Sequence, residues 1–224
     1  MNSNATADQM TIQPGAKLVI GNGYSLTLAN GTGTDLQMNG YLTITGNISF
    51  ETGATMLCGD DSTVEFNGSA AQVTGSGFPS ELDNLILNNS SGVILNVDTH
   101  VNGTLTQTAG SFMGAVMPDG YQSSLYHLSF PETGVRISNW DISMTTNSLM
   151  PDRINRQWNI NGSYTGTKTL TFTWDAEDDL DFDWAVEGKT PALYKGSTKL
   201  SPLSYDVTSD PRTMTVEVSS VLTK

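Results

Sequence analysis

The sequence is poor in cysteine, histidine and positive charge. Its 224 residues include one cysteine, two histidines and 10 lysines and arginines against 23 acidic residues, which gives a formal net charge of −13. The single cysteine, Cys58, excludes an intrachain disulfide framework, so stability has to come from packing and hydrogen bonding. Nucleic-acid binding and docking on anionic lipid both require a basic surface, so the acidic composition disfavours these two partners.

Long apolar segments and helical patterns are also missing from the sequence. No window holds the run of about 20 apolar residues that a transmembrane helix requires, and we therefore expect no membrane insertion. No segment repeats its apolar residues at the spacing of an amphipathic helix. Charged residues make up only 15% of the chain, and aliphatic residues alternate with Thr, Ser, Asn and Gly, which is typical of an extracellular β protein.

Short strands separated by turns dominate residues 62–105. Residues 64–66, 85–87 and 93–95 each place two apolar residues around a middle one, which is the alternation of a β-strand with one buried face. Three pairs that favour tight corners and positive φ angles interrupt these strands: Asn67-Gly68, Ser91-Gly92 and Asn102-Gly103. This pattern predicts a chain that coils around a narrow apolar core.

The same alternation of short strands and turns extends from residue 10 to about residue 115, and some short sequence motifs recur along it. Three successive strands make a coil of about 20 to 24 residues, which is the size of one solenoid turn. The phrase Asn-Gly-Tyr-Leu-Thr at 39–43 returns as Asn-Gly-Thr-Leu-Thr at 102–106, and Gly-Ala-Lys-Leu at 15–18 returns as Gly-Ala-Thr-Met at 53–56. We predict a right-handed parallel β-solenoid over residues 10–115, preceded by a flexible N-terminus at 1–9.

Residues 125–224 have a different composition. All four tryptophans lie there, at positions 140, 158, 174 and 184, and such bulky side chains suit the wide space between two packed sheets. Longer alternating segments with turns about every 8 to 12 residues predict an antiparallel β-sandwich. The sequence therefore predicts an all-β fold in which a linker at 116–124 joins the solenoid to a sandwich.

Several segments carry distinctive sequence motifs. F-N-G-S-A-A-Q-V-T-G at 66–75, L-D-N-L-I-L-N-N-S-S-G-V-I-L at 82–95 and V-N-G-T-L-T at 101–106 together resemble the β-solenoid repeats of large secreted surface proteins of Bacteroidota, many of them exported by the type IX route. R-I-N-R-Q-W-N-I at 153–160 is similar to the V-N-R-x-W-x-I strand of sandwich modules that follow such solenoids, with Ile in place of the first Val and Gln before the Trp. The resemblance implies a secreted or cell-surface structural or adhesin module, such as a stalk or filament subunit, and it names no catalytic residue.

An acidic segment at 175–183 carries six carboxylates in nine residues. Calcium takes six to eight oxygen ligands, and a loop with carboxylates at alternate positions supplies several of them. The spacing does not match an EF-hand loop. The alternative is a solvated acidic hairpin loop between two strands. The candidate calcium ligands are Asp175, Glu177, Asp179, Asp181 and Asp183.

Asp60, Asp61 and Glu65 form a second acidic group, which is compatible with the acid pair of a glycosidase or the calcium-binding acids of a polysaccharide lyase. A lyase also needs a base to remove a proton, and a glycosidase needs two carboxylates at a set separation. The solenoid half offers only Lys17 and His100 as basic groups, and neither lies near Asp60 in the sequence. We predict that the chain is not an enzyme; a carbohydrate-binding or polysaccharide-degrading β-helix protein is the alternative.

The partners that the sequence predicts are other cell-surface proteins, copies of the same chain, and glycans. A solenoid ends in open strand edges, and an open edge is a template for another chain, so we expect end-to-end stacking through the N-terminal coil. Exposed aromatic residues stack on sugar rings, although packing in the core is the alternative for each of them. The aromatic candidates are Trp140, Tyr164, Trp184 and Tyr194.

Overall fold

A computed structural model describes residues 1–113, 115–118, 120–123, 128–130, 137–145, 157–163, 167–179, 190–195 and 198–219. Within these ranges the regular structure consists of β-strands joined by turns, and the one helix is a 3-10 turn at Ala176–Asp179. The prediction of an all-β protein with a parallel β-solenoid is confirmed.

Each coil of the solenoid contains three short strands. The first three coils are formed by β1 (Ala5–Ala7), β2 (Met10–Ile12), β3 (Lys17–Ile20), β4 (Ser25–Leu28), β5 (Leu36–Met38), β6 (Tyr41–Ile44), β7 (Asn47–Phe50), β8 (Met56–Cys58) and β9 (Thr63–Phe66). The next three are formed by β10 (Gln72–Val73), β11 (Glu81–Leu82), β12 (Asn84–Asn88), β13 (Val93–Ile94), β14 (Thr99–Val101), β15 (Leu105–Ala109), β16 (Phe112–Met113), β17 (Ala115–Pro118) and β18 (Tyr121–Ser123).

The third strand of each coil stacks in parallel on the third strand of the next, in the order β3, β6, β9, β12, β15 and β18. About five turns of the chain connect the first of these six stacked strands to the last. The recurring phrase at 39–43 and 102–106 has a structural meaning, because Leu42 and Leu105 occupy the same position three coils apart. The stacked residues of this position are Leu18, Leu42, Val64, Leu85, Leu105 and Tyr121.

The core of the solenoid is a stack of aliphatic and aromatic side chains that point inward from every coil. Ile20, Ile44, Phe66 and Leu87 lie in one register column and are each at most 1% exposed. Burying a side chain of this size contributes about 1.5–3 kcal/mol. In the fifth coil the column continues with Gln107, a buried amide, so the column is not apolar throughout.

Antiparallel strands follow the solenoid: β19 (Leu128–Phe130), β20 (Ile137–Thr145), β21 (Gln157–Ser163), β22 (Thr167–Trp174), β23 (Leu193–Lys195), β24 (Thr198–Leu200), β25 (Ser204–Asp206) and β26 (Arg212–Ser219). Strands β19, β22, β26 and β25 extend one solenoid sheet to ten strands, and β20 and β21 extend the sheet of β11, β14 and β17. The rings of Trp158 on β21 and Phe172 on β22 pack edge to face with centroids 4.8 Å apart. This contact joins the two extended sheets into a sandwich-like part, in which Trp174 is fully buried.

Two segments differ from their predicted roles. Residues 116–124, predicted as a linker, include β18 and most of β17, which pair in parallel with β15 and β14. The solenoid therefore continues to Ser123, and the antiparallel strands are added directly to its sheets. Residues 1–9, predicted to be flexible, include β1, which pairs with β4.

The corners of the solenoid use glycine for two different reasons. Gly92 has a φ of 82°, as predicted for a tight corner. The prediction of positive φ is wrong for Gly68 and Gly103, which are not among the positive-φ glycines of the described chain. Both are required for space: a Cβ at Gly68 would lie 2.7 Å from the side chain of Gln72, and one at Gly103 would lie 2.7 Å from that of Asn84.

Candidate functional site

One residue of the predicted calcium loop, Asp179, forms an ion pair with Arg212 on β26. Oδ1 of Asp179 accepts a hydrogen bond from the indole Nε1 of Trp174 at 2.9 Å, and Oδ2 accepts one from Nε of Arg212. Asp179 is 3% exposed. Its charge is therefore neutralised by the protein, which makes Asp179 a structural anion that anchors the 3-10 turn to β26.

The rest of the acidic segment is described only in part. Asp175 and Glu177 are exposed at the surface, whereas Asp181 and Asp183 lie outside the described residues. Among the residues that the structure describes, no group of three or more His, Cys, Asp and Glu side chains is arranged to hold a metal ion. Calcium binding stays a prediction, and it now has to be achieved without Asp179 unless the ion pair with Arg212 opens.

The second acidic group is divided between two surroundings. Asp61 has a φ of 61° and forms the turn between β8 and β9 together with Asp60. Glu65 lies on the outer face of β9, where its Oε2 accepts hydrogen bonds from Tyr41 Oη at 3.0 Å and Thr43 Oγ1 at 2.9 Å. Tyr41 and Thr43 lie on β6 and Glu65 lies on β9, so these two hydrogen bonds connect neighbouring strands of the sheet.

The one lysine of the solenoid completes this surface cluster. Lys17 Nζ lies 4.0 Å from Glu65 Oε2 and 4.2 Å from the centroid of the Tyr41 ring. Burial, reinforced by the neighbouring Glu65, raises the pKa of Tyr41 to about 12. The phenol therefore stays protonated and donates its hydrogen bond at all physiological pH values, which is the behaviour of a structural contact.

The remaining groups with potential chemistry are also held by neighbours. His100 Nδ1 lies 3.1 Å from Glu81 Oε2, which also accepts a hydrogen bond from Asn102 Nδ2 at 3.2 Å. Burial raises the pKa of the Cys58 thiol to about 12, so it is protonated at neutral pH and is a poor nucleophile. His127 lies outside the described residues.

The aromatic candidates for sugar stacking include one clear surface residue. Tyr194 on β23 is 62% exposed. The structure does not describe the side chains of Trp140, Tyr164 and Trp184, so their predicted role stays a prediction.

The sequence analysis did not predict that the side-chain amides of Gln72 and Asn89 are buried inside the corners of the solenoid. Gln72 Nε2 donates to the carbonyl oxygens of Ile44 at 2.9 Å and Gly46 at 2.8 Å, and its Oε1 accepts from Asn89 Nδ2 at 2.8 Å. Asn89 also donates to the carbonyl of Ala70 at 2.7 Å. This network satisfies corner backbone groups across successive coils. Its sequence signal is a Gln three residues after the Gly68-Ser69 pair, which is weak without a structure.

A buried aspartate fixes the longest corner of the second coil. Asp35 has no exposed surface, and its two oxygens accept hydrogen bonds from the backbone N–H groups of Gly31 at 2.8 Å and Thr55 at 2.7 Å. These two bonds lower the pKa of Asp35, although burial opposes them. The aspartate therefore joins the second coil to the third as a carboxylate.

At the N-terminal end of the solenoid, the strands pair on one side only within the part of the chain that the structure describes. Strands β1, β2 and β3 each stand first in their sheets. The described chain covers only part of this end: the amino group of Met1 donates to the carbonyl of Val19, and the carbonyl of Met1 accepts from the N–H of Gly21 at 3.2 Å. This N-terminal edge is the candidate interface for another chain.

No family profile matches the sequence, and neither the curated proteins nor the solved structures contain a significant match to it. Among the described residues no helix has the length and apolar character needed to cross a membrane.

Proposed function

We propose that this chain is a non-enzymatic structural module of a secreted or cell-surface protein, serving as a segment of a stalk, adhesin or filament. The observation that carries the proposal is the unbroken sheet of ten strands from β3 to β25. It connects every coil of the solenoid to the antiparallel strands by backbone hydrogen bonds, so the two parts form one continuous element, as a spacer requires.

The contacts of the polar side chains support a structural role. Glu65, Asp35, Gln72 and Asp179 each bind groups from other strands or corners of the same chain. A catalytic carboxylate needs access to a substrate atom, whereas these four groups are occupied by partners within the protein. The acidic surface and the scarcity of basic residues fit an extracellular module.

The partner that the open N-terminal edge favours is another copy of the chain. An edge strand offers unpaired backbone N–H and C=O groups that a second strand satisfies. A contact between unlike ends, repeated from copy to copy, builds a filament. Other cell-surface proteins are the second class of partner, since any exposed strand pairs through the same groups.

Light scattering over a concentration series tests this contact. We expect the average mass to rise with concentration, and the double variant Thr6→Lys/Thr11→Lys to remain monomeric because a charged lysine on each of the edge strands β1 and β2 disfavours pairing with a second chain. Thr198→Lys, at an exposed position on β24, is the matched control and should associate like the unmodified chain. A strictly monomeric mass at high concentration would argue against stacking.

Turnover assays on uronic-acid polymers and a glycan array test the non-enzymatic role. We expect no turnover. Robust turnover that disappears in Asp60→Asn/Asp61→Asn would contradict the proposal and support the polysaccharide-degrading alternative.

A further inference from the structure

Six asparagines of this chain are followed directly by a glycine: Asn22, Asn30, Asn39, Asn67, Asn102 and Asn161. Such an asparagine is chemically labile, because its Cγ lies within reach of the backbone nitrogen of the next residue and a glycine there places no side chain in the way. In a folded protein the reaction has two requirements. The glycine N–H must be free of a hydrogen bond, and the backbone must be able to bring the two atoms together.

The fold engages the glycine N–H in three of these pairs. Gly31 donates to Oδ1 of the buried Asp35 at 2.8 Å, and Gly68 donates to Oε1 of Gln72 at 3.2 Å. Gly103 donates at 2.8 Å to a backbone carbonyl of the neighbouring coil. Each of these three nitrogens has to lose a hydrogen bond before it can act as a nucleophile.

Packing and strand pairing hold two further pairs. The side-chain oxygen of Asn39 accepts a hydrogen bond from Nε2 of Gln37 at 3.0 Å, and the following Gly40 is buried. A Cβ at Gly40 would lie 2.4 Å from the carbonyl oxygen of Gln13, so the backbone there has little room to rotate. Asn161 lies on β21 and pairs with β20, which holds its backbone in an extended conformation.

The remaining pair, Asn22-Gly23, meets both requirements. The two residues are exposed in the corner between β3 and β4, and within the described part of the chain neither the side chain of Asn22 nor the N–H of Gly23 has a hydrogen-bonding partner. A Cβ at Gly23 would have no atom within 4 Å. One hydrogen bond, from the N–H of Tyr24 to the carbonyl of Gly21 at 3.1 Å, closes the turn. Glycine on both sides of Asn22 lowers the steric barrier to rotation.

We propose that Asn22 is a site of spontaneous deamidation in the folded protein, and that the fold protects the other Asn-Gly pairs. A base removes the proton of the Gly23 N–H, and the nitrogen attacks Cγ of Asn22 to form a cyclic succinimide. The bond between Cγ and the side-chain nitrogen breaks, and this nitrogen takes up a proton and leaves as ammonia. Water then opens the ring: cleavage of the bond to Cγ gives aspartate, and cleavage of the bond to the backbone carbonyl carbon gives isoaspartate.

This reaction changes the contact between the first two coils. The carbonyl of Tyr24 accepts a hydrogen bond from the N–H of Asn47 at 2.9 Å, and a Cβ at Gly46 would lie 2.1 Å from the same carbonyl oxygen. The corner therefore rests directly on the next coil. Isoaspartate inserts an additional methylene group into the backbone of this corner, and either product adds a carboxylate beside β3. The inference does not rest on the structural role proposed above, because the chemistry takes place within one chain.

Peptide mapping by mass spectrometry tests the proposal on folded protein stored at mildly alkaline pH. We expect aspartate and isoaspartate to accumulate at position 22 about tenfold faster, or more, than at positions 30, 39, 67, 102 and 161. A factor of ten corresponds to about 1.4 kcal/mol, which is on the order of one hydrogen bond at the glycine N–H. In urea that unfolds the chain, the six positions should react at similar rates, because a glycine follows each of them.

Two variants form a matched pair. Asn22→Gln lengthens the side chain, which makes ring closure much slower, and the folded protein should lose most of its ammonia release. Asn102→Gln, at an exposed corner whose glycine N–H is hydrogen-bonded, is the control and should release ammonia like the unmodified chain. After storage, hydrogen exchange at the N–H of Asn47 should be faster in the unmodified chain than in Asn22→Gln.

Three results would overturn the proposal. The first is a rate at position 22 that is no higher than those at positions 30, 67 and 102 in the folded protein. The second is the same excess at position 22 in urea, which would assign it to the local sequence instead of the fold. The third is an equal loss of ammonia release in the two variants. Equal exchange at Asn47 in the stored unmodified chain and in stored Asn22→Gln would contradict the effect on the two coils.

Discussion

The indole of Trp174 donates a hydrogen bond to Asp179 at 2.9 Å, and Arg212 binds the other oxygen of the same carboxylate. This arrangement joins β22, the 3-10 turn and β26 at a point that is almost completely buried. A residue that the sequence places in a candidate cation site thus serves the packing of the sandwich-like part.

Asp179→Asn should destabilise the protein. The substitution leaves the guanidinium of Arg212 without its anionic partner, and breaking a buried pair from one side costs about 3 kcal/mol. Urea denaturation in the presence of a chelator measures the effect. Glu177→Gln, at an exposed position of the same turn, should change the free energy of unfolding by no more than about 0.5 kcal/mol. Equal effects of the two substitutions would contradict the structural role of Asp179.

Calcium should raise the melting temperature through the acidic segment at 175–183. A ligand that binds only the folded state stabilises it by about 2.7 kcal/mol at a concentration of 100 times its Kd. We expect a higher melting temperature in millimolar calcium than in chelator, and a smaller difference in Asp175→Asn/Glu177→Gln. Identical melting curves in calcium and chelator would count against a calcium site.

Asp35 should make the stability depend on acid pH. Hydrogen bonds from Gly31 and Thr55 lower its pKa below the ordinary value of 3.8, so its contribution is fully present above about pH 4 and is lost as the pH falls through the lowered pKa. Asp35→Asn should therefore be less stable than the unmodified chain at pH 7, and the difference should shrink below pH 4. Denaturation midpoints from pH 2 to pH 7 test this, and a difference that does not vary with pH would contradict it.

Gln72→Ala should destabilise the solenoid by about 1–3 kcal/mol, because the carbonyl of Gly46 loses its side-chain donor, while the carbonyl of Ile44 keeps the N–H of Asn67. Gln122→Ala, at an exposed position of β18, is the control and should have little effect. Hydrogen exchange of the amide groups in β6 and β9 offers a local measurement. Protection that is unchanged in Gln72→Ala would show that water replaces the amide at no cost.

The sequence was sufficient for the solenoid fold and for those of its strands that alternate apolar and polar residues. Residues 64–66 and 85–87 were predicted from alternation alone and lie within β9 and β12, because the two outer apolar residues of each segment face the core and are buried. The repeated phrase at 15–18 and 53–56 was less informative. Leu18 lies on β3 and Met56 on β8, which belong to different sheets, so this phrase marks a type of corner and not a coil repeat.

The missed features depend on contacts that alternation does not encode. Strand β1 (Ala-Thr-Ala) lacks bulky apolar residues and forms because Ala5, Thr6 and Ala7 pair with β4. Gln72 and Asp35 look like surface residues in the sequence, and only the three-dimensional course of the corners shows that their partners are buried backbone groups. The fate of Asp179 likewise depends on Arg212, 33 residues away.

The direction of the hydrogen bonds in the solenoid has a mechanical consequence. The bonds between coils run along the axis of the rod, about 4.8 Å per coil, whereas the covalent chain runs around it. A pulling force along the axis is borne by all junctions between coils in series, and the junctions rupture one after another. Each coil of about 20 residues that is released adds about 70 Å of extended chain. A rod of this construction yields to tension stepwise and absorbs work over a long extension, instead of failing at a single threshold.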